Sequence, residues 1–247
     1  MTPLIKSHGL SGNLLKIIAA VSMLIDHVGL LFFPQYLIFR VIGRISFPIF
    51  AFMIAEGCRH TRNRLRYFLT VFVMAVIYQV VYYVYDGSLY MSVLVTFSLS
   101  ILAIYALDNF KEKLFDPDCT VILKLLAGLL FGATIAGIFA LNRLFVINYK
   151  FWGCMLPVFA SLFVAPKGAV VPVLDKVDRV PMHVASLGVG LISLALASDA
   201  VQWYAFMALP LLLLYNGKRG RWRMKYFFYV FYPAHLVILQ GIYMLIH

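Results

Sequence analysis

Apolar residues in this chain come in long unbroken runs, with few polar residues inside them. Nine runs stand out, at roughly 13–33, 37–57, 67–86, 91–108, 120–141, 149–165, 182–198, 200–215 and 226–246. An α-helix rises about 1.5 Å per residue, so about 20 apolar residues cross a bilayer. Barrel strands would alternate apolar and polar residues over about 10 positions, and these runs are continuous and about twice as long. The pattern therefore predicts helical spans. Turn residues separate several of them: Phe33-Pro34-Gln35, Asp86-Gly87-Ser88, Asp116-Pro117-Asp118 and Asn216-Gly217-Lys218. Lys150 and Pro157 interrupt the sixth run, and the short seventh and eighth meet at Ser198-Asp199. No soluble domain, low-complexity tract or internal repeat is visible. The first run exceeds the usual 7–15-residue core of a signal peptide and carries Lys16, Asp26 and His27, so it reads as a permanent span.

Composition sharpens this picture. Hydrophobic residues make up 63% of the 247 positions and charged ones 13%. Soluble domains have about 25% charged and 45–50% apolar residues. Mean hydropathy is +0.92. Such a chain cannot supply a polar shell, which argues against soluble-enzyme, disordered and nucleic-acid-binding classes. The expected fold is all-α: a polytopic helical membrane bundle forming one domain over 1–247. Cys58, Cys119 and Cys154 form no CxxC pair, so neither a disulfide framework nor a metal site is expected.

The net charge of +11 changes meaning once it is placed on this topology. With the N-terminus in the cytoplasm, the inner segments and their flanks hold Lys6, Lys16, Arg59, Arg62, Arg64, Arg66, Lys111, Lys113, Lys124, Lys167, Lys176 and Arg179. The last inner segment adds Lys218, Arg219, Arg221, Arg223 and Lys225. Of the 21 basic residues, only Arg143 and Lys150 fall outside, and Arg40 and Arg44 lie within the second span. Positive-inside asymmetry then sets the N-terminus inside and the C-terminus outside.

Ionisable groups at membrane depth are costly and mark functional sites. The first two spans concentrate them: Lys16, Asp26, His27, Arg40, Arg44 and Glu56. Lys16 and His27 are separated by about 1100° of helix, within about 20° of three full turns, and so share a face about 16 Å apart. Arg40 and Arg44 lie one turn apart on the returning span, at about the depth of Asp26 and His27. A structural alternative is an ion pair in which Asp26 neutralises an arginine. Glu56 has a competing helix-end role near Arg59. His235, after Tyr232-Pro233, can be a hydrogen-bonded bundle residue. His8, His60 and His247 fall at interfaces, and His183 at a helix end. The clusters Arg59–Arg66 and Lys218–Lys225 suit either anionic lipid or a polyanionic cofactor such as a coenzyme A or a nucleotide. Composition does not choose between these.

Two blocks carry a family resemblance. Lys16-Ile-Ile-Ala19, Met23, Asp26-His27 and Gly29 lead into Arg40-Val-Ile-Gly43-Arg44-Ile-Ser-Phe47-Pro48-Ile-Phe50, then Phe52, Glu56-Gly57 and His60-Thr61. At the far end stand Tyr215-Asn216-Gly217, Gly220, Lys225-Tyr226, Tyr229 and Phe231-Tyr232-Pro233-Ala-His235-Leu236. Together they resemble the TraX family, named for pilin acetylation, and more distantly the wider group of transmembrane acyltransferases. That group includes bacterial sugar O-acetyltransferases, whose first helix carries a basic residue, ten residues and a histidine, the spacing of Lys16 and His27. The segment Phe47-Pro48-Ile-Phe50-Ala-Phe52-Met53 also resembles part of the lysosomal heparan glucosaminide N-acetyltransferase.

The resemblance implies a bacterial cytoplasmic-membrane enzyme that moves an acetyl group from cytoplasmic acetyl-CoA to an amine or hydroxyl at the outer face. His27 would be the general base, with Asp26 beside it anchoring Arg40 or Arg44. Arg40, Arg44, Glu56, Tyr232 and His235 would serve the acceptor. Lys16, Arg59, Arg62, Arg64, Arg66, Lys218, Arg219 and Arg221 would meet the donor. The acceptor stays open among pilin, another peptide amine, a glycan and a lipid-linked sugar. A proton-coupled transporter and a non-enzymatic pilus or envelope assembly factor are the rival classes. The sequence departs from the family at Asn148-Tyr149-Lys150, where TraX-like chains often have Asp-Tyr-Gly. Nine spans are also one fewer than the ten usual in the wider group.

Overall fold

The computed structural model describes residues 9–166, 171–221 and 224–246. Lys6, His8, Lys167, Arg223 and His247, and the side chain of Lys225, lie outside the described residues. Each apolar run carries a helix. The first is α1 (Gly12–Phe32), and the second is split into α2 (Leu37–Gly43) and α3 (Ser46–His60). Then come α4 (Arg64–Asp86), α5 (Val93–Phe115), α6 (Val121–Leu144) and α7 (Lys150–Ser161). An unforeseen short helix, α8 (Pro172–Val177), precedes α9 (Val180–Leu196). A 3-10 helix (Ala200–Met207) continues as α10 (Ala208–Leu213), and α11 (Lys225–Ile246) closes the order. The described residues hold no strand, only the isolated bridges Leu10–Tyr215 and Met91–Ile147.

Five described segments are long and apolar enough to cross a membrane: Gly12–Phe32, Leu37–His60, Arg64–Val84, Val93–Phe115 and Val121–Leu144. The apolar helices Val180–Leu196 and Ala200–Leu213 are shorter, and α11 has 22 residues. At 12 residues, α7 extends only about 18 Å, against a hydrocarbon core about 30 Å thick. The expected nine is thus a count of helical runs rather than of full-length spans. The α5 helix also runs on to Phe115, which draws Lys111 and Lys113 out of the expected loop and into the helix.

The split of the second span has a local cause. Pro48 lacks the N–H that would bond to the Arg44 carbonyl, and its ring crowds that same carbonyl. The helix stops at Gly43 and restarts at Ser46, so Pro48 falls in the first turn of α3, where no donor is needed. Carbonyls freed at the break need partners, because no water is available in the bilayer core. The Ile42 carbonyl accepts from Ile45 N at 3.3 Å and from the Ser22 hydroxyl of α1, and the Arg40 carbonyl, which keeps its bond from Arg44 N at 3.2 Å, also accepts from Arg44 Nε at 3.4 Å.

The chain divides into two compact units, Met1–Met53 with Leu191–His247, and Ile54–Gly190. In the first, α1 packs against α2 and α11, and the 3-10 helix packs on α2. Glycines allow the close approach of α1 and α2. A Cβ on Gly29 would strike Phe39, and one on Gly43 would strike the Asp26 side chain. The loop after α10 covers the start of α1: Gly12 N donates to the Lys218 carbonyl at 2.8 Å and Asn13 N to the Arg219 carbonyl at 2.9 Å. These bonds satisfy donors that a helix N-terminus otherwise leaves unpaired.

In the second unit α5 is central, packed on α4, α6 and α7. Its buried face is polar for a membrane helix, with Thr96, Ser98, Ser100 and Lys111. Ser100 Oγ lies 2.8 Å from both the Thr96 and the Cys154 carbonyl, which share its one proton. Lys111 Nζ donates to the Ser161 carbonyl at 3.0 Å and the Val164 carbonyl at 2.8 Å, which places a cation at the C-terminus of α7. The outward side is apolar: Val121 is 70% exposed and Leu129 69%. Such a surface fits lipid and would be a liability in water.

At the start of α7 two consecutive residues have positive φ, Tyr149 (61°) just before the helix and Lys150 (53°) as its first residue. Lys150 stands where the resemblance expects glycine, and a Cβ is disfavoured in that conformation. Lys150→Gly is therefore expected to stabilise the protein by about 1 kcal/mol. Thermal unfolding in detergent checks this, and a lowered melting temperature would contradict the assignment of strain.

Candidate active site

The break in the second span brings both of its arginines to α1. Arg40 Nη1 lies 2.8 Å from Asp26 Oδ2, and Arg44 Nη2 lies 3.5 Å from Asp26 Oδ1. The Asp26 side chain is 14% exposed and that of Arg44 13%. One carboxylate thus answers two guanidinium groups, and the cluster keeps an excess positive charge. Gln202 of the 3-10 helix joins it, accepting from Arg44 Nη1 through Oε1 at 3.2 Å.

His27 follows Asp26 on α1 and turns toward α11. Its ring meets that of His235 at 5.0 Å between centroids and 71° between planes. Both imidazoles have Nδ1 2.8 Å from the carbonyl four residues back, Met23 for His27 and Phe231 for His235. A carbonyl only accepts, so each Nδ1 carries the proton. His27 Nδ1–H also lies 3.4 Å from His235 Nε2, which is then an acceptor. This arrangement fixes the His27 tautomer with its lone pair on Nε2, the form needed in a base. His235 is buried, stacked at 5.0 Å on Phe231 and edge-on to Tyr232 at 5.9 Å. The charges of Asp26, Arg40 and Arg44 all reach His27.

Lys16 lies on the same helix, nearer its start, within electrostatic reach of Arg219. Lys218, Arg219 and Arg221 are exposed on the loop that covers the start of α1. No ion pair engages these three among the described residues. The first unit therefore joins His27, Asp26, Arg40, Arg44, Tyr232, His235 and this basic loop.

The remaining predicted residues lie in the second unit, in a different electrostatic setting. Arg59 Nη2 is 2.8 Å from Asp178 Oδ1, and its Nη1 is 3.6 Å from Glu56 Oε1. Glu56 Oε2 is also 3.7 Å from His60 Nδ1. Arg64 Nη2 is 2.7 Å from Glu112 Oε1 and 3.7 Å from Asp108 Oδ2. Asp178 Oδ1 lies 3.1 Å from His183 Nε2, and Lys111 Nζ lies 4.0 Å from Asp108. A cavity of about 230 Å³ is lined by Arg59, His60, Arg64, Asp108 and Glu112 with Val164, Ala165 and Pro166. Arg59 and Arg64 are committed to carboxylates, whereas Arg62 and Arg66 are exposed.

A family model described as TraX protein matches residues 11–243. The chain belongs to the TraX family. This TraX chain is a multi-pass membrane protein, with five described helical segments of spanning length. It is 24% identical over 250 residues to a protein of Dichelobacter nodosus named "Probable fimbrial assembly protein FimC, serogroup H1", a match covering 91% of this chain and 92% of that one. Over 40 residues it is 50% identical to an uncharacterized protein of Rickettsia prowazekii (strain Madrid E), covering 16% of each chain. No solved structure matches.

Glu56 lies beside Arg59 as its spacing implies, whereas no sequence pattern singles out Gln202, Asp178 as a partner of Arg59, or Asp108 and Glu112 as partners of Arg64. Gln202 carries no charge, and its signal was only a lone amide inside the apolar run 200–215. Asp178 pairs with Arg59 across a long stretch of chain, which no local spacing reveals.

Removing one partner of a buried ion pair strands the other charge. Asp26→Asn is expected to cost about 3 kcal/mol of stability, by that principle. Adding Arg44→Leu to it should recover part of the loss. Thermal melts of the purified proteins check both steps, and a harmless Asp26→Asn would deny the pair its place in the fold.

Proposed function

We propose that this TraX chain is an integral membrane acetyltransferase. It takes acetyl groups from cytoplasmic acetyl-CoA and passes them to an amine or hydroxyl at the outer face of the bacterial cytoplasmic membrane. The observation that carries this reading is the His27–His235 pair: a fixed imidazole with its lone pair on Nε2, set within reach of an excess of positive charge. A base and a cationic patch are what acyl transfer requires.

In this reading the acceptor N–H or O–H gives its proton to His27 Nε2 as its nitrogen or oxygen attacks the thioester carbonyl. The carbonyl oxygen becomes negative and is stabilised by the Arg40–Arg44 charge. Collapse breaks the carbon–sulfur bond, and the departing thiolate takes the proton back from His27. The products are the acetylated acceptor and free CoA. The Met23 carbonyl accepts from His27 Nδ1–H at 2.8 Å and holds the ring in register, with His235 Nε2 sharing that proton at 3.4 Å. Asp26 fixes the arginines instead of acting on His27, because neighbouring residues on a helix diverge by about 100°.

The two basic clusters separate under this reading. The donor's phosphates suit Lys16, Lys218, Arg219 and Arg221, which are close to the start of α1 and on the side leading to His27. Arg59 and Arg64 already face carboxylates, which would repel a phosphate. The name of the Dichelobacter nodosus relative supports a pilus-related acceptor, and it equally suits a non-enzymatic assembly factor.

His27→Ala should lower acetyl transfer from radiolabelled acetyl-CoA by about 100-fold or more, the usual worth of a general base, while the protein stays folded. Full transfer by a well-folded His27→Ala protein would refute the base, and normal pilus assembly without any transfer activity would favour the assembly factor. Alanine at Lys218, Arg219 and Arg221 together is expected to raise KM for acetyl-CoA about 10-fold with kcat little changed, a loss of uniform binding. The same change at Arg62 and Arg66 should leave KM unmoved, and the reverse pattern would move the donor to the other cluster.

A further inference from the structure

Gln202 is 4% exposed, and its amide orientation is dictated by its neighbour. Arg44 Nη1 can only donate, so the Gln202 oxygen must face it, and the NH2 points elsewhere. That Nε2 finds no acceptor among the described residues. A buried amide donor left unpaired is uncommon and calls for an explanation.

Arg44 is itself incompletely served. Its contacts are 3.2 Å to Gln202 Oε1, 3.4 Å to the Arg40 carbonyl and 3.5 Å to Asp26 Oδ1. Charge-assisted bonds settle at about 2.7–2.9 Å, the distance that Asp26 gives to Arg40 instead. An underbonded guanidinium and an unpaired amide donor therefore stand side by side in an apolar bundle. A single negatively charged oxygen would satisfy both.

We infer that Arg44 and Gln202 form the oxyanion site of the acetyl transfer, with Gln202 Nε2 as its second donor. This rests on the acetyltransferase reading. In the resting protein the two donors are held ready; when the acceptor attacks and the carbonyl π pair moves onto oxygen, they bond to it. The same two donors will take a small carboxylate, so acetate serves as a probe that does not depend on turnover.

The test uses the full-length protein in neutral detergent. Gln202→Leu keeps the volume and removes the donor, and should lower kcat for labelled acetyl transfer by about 100- to 1000-fold with KM for acetyl-CoA within about 2-fold. Gln202→Glu sets a permanent carboxylate against Arg44. It should be as inactive as Gln202→Leu yet melt higher than the wild type, a combination that a merely structural glutamine would not give. Sodium acetate, compared with sodium chloride at equal ionic strength, should raise the wild-type melting temperature and leave that of Gln202→Glu unchanged. Wild-type kcat in folded Gln202→Leu, or equal acetate shifts in wild type and Gln202→Glu, would overturn the proposal. If the wild type transfers no acetyl group, the enzyme reading fails, and with it the catalytic role of Gln202; the acetate shift then still decides whether an oxyanion subsite exists.

Discussion

The break in the second span is the constraint on which the candidate site depends. Pro48 denies the Arg44 carbonyl its helical partner, and the interruption falls between Gly43 and Ser46. In a bilayer this is tolerated only where other groups satisfy the exposed backbone. Ser22 from α1 and the Arg44 side chain add bonds to the Ile42 and Arg40 carbonyls beside the break. The repair fastens α2 to α1 and holds Arg40 and Arg44 at Asp26. Gly43 is part of the same arrangement, since a Cβ there would occupy the space of the Asp26 carboxylate. Position, charge and backbone satisfaction are thus one event rather than three.

The two ionic clusters of the chain use similar residues to different ends. In the first unit two arginines share one aspartate, and the surplus charge sits near a histidine pair whose tautomers are set by backbone carbonyls. In the second, Arg59, Arg64 and Lys111 face Glu56, Asp108, Glu112 and Asp178. Lys111 there also closes the end of a helix. In the second network the carboxylates outnumber the cations and every cation has one, which suits structural cohesion, since each charge lowers the cost of burying the other. The cationic excess of the first suits negative charge as it develops. Membrane-embedded charge is a poor guide to function until its partners are known.

Local features were legible in the chain. Runs of apolar residues gave every major helix, because a membrane span must satisfy its own backbone and bury an apolar surface in lipid. The shared face of Lys16 and His27 and the pairing of Asp26 with Arg40 or Arg44 followed from helical periodicity over short separations. The split at Arg44 was also present, in Pro48, but a proline within an apolar run reads equally as a kink in a single span. The lengths of α7 and α9 were less readable, since hydropathy records apolarity without showing where hydrogen bonding ends.

What the sequence determined by itself was the class of the molecule, the run of helices and the site where charge enters the membrane. These depend on composition and on contacts within a few turns. The tertiary structure alone decided that His235, 208 positions away, would meet His27. It also turned Gln202 toward Arg44 and gave Arg59 and Arg64 to acidic partners while leaving Lys218, Arg219 and Arg221 exposed. The physical reason is that a side chain's chemistry is set by what it faces, and helices distant in sequence come to face one another only through packing.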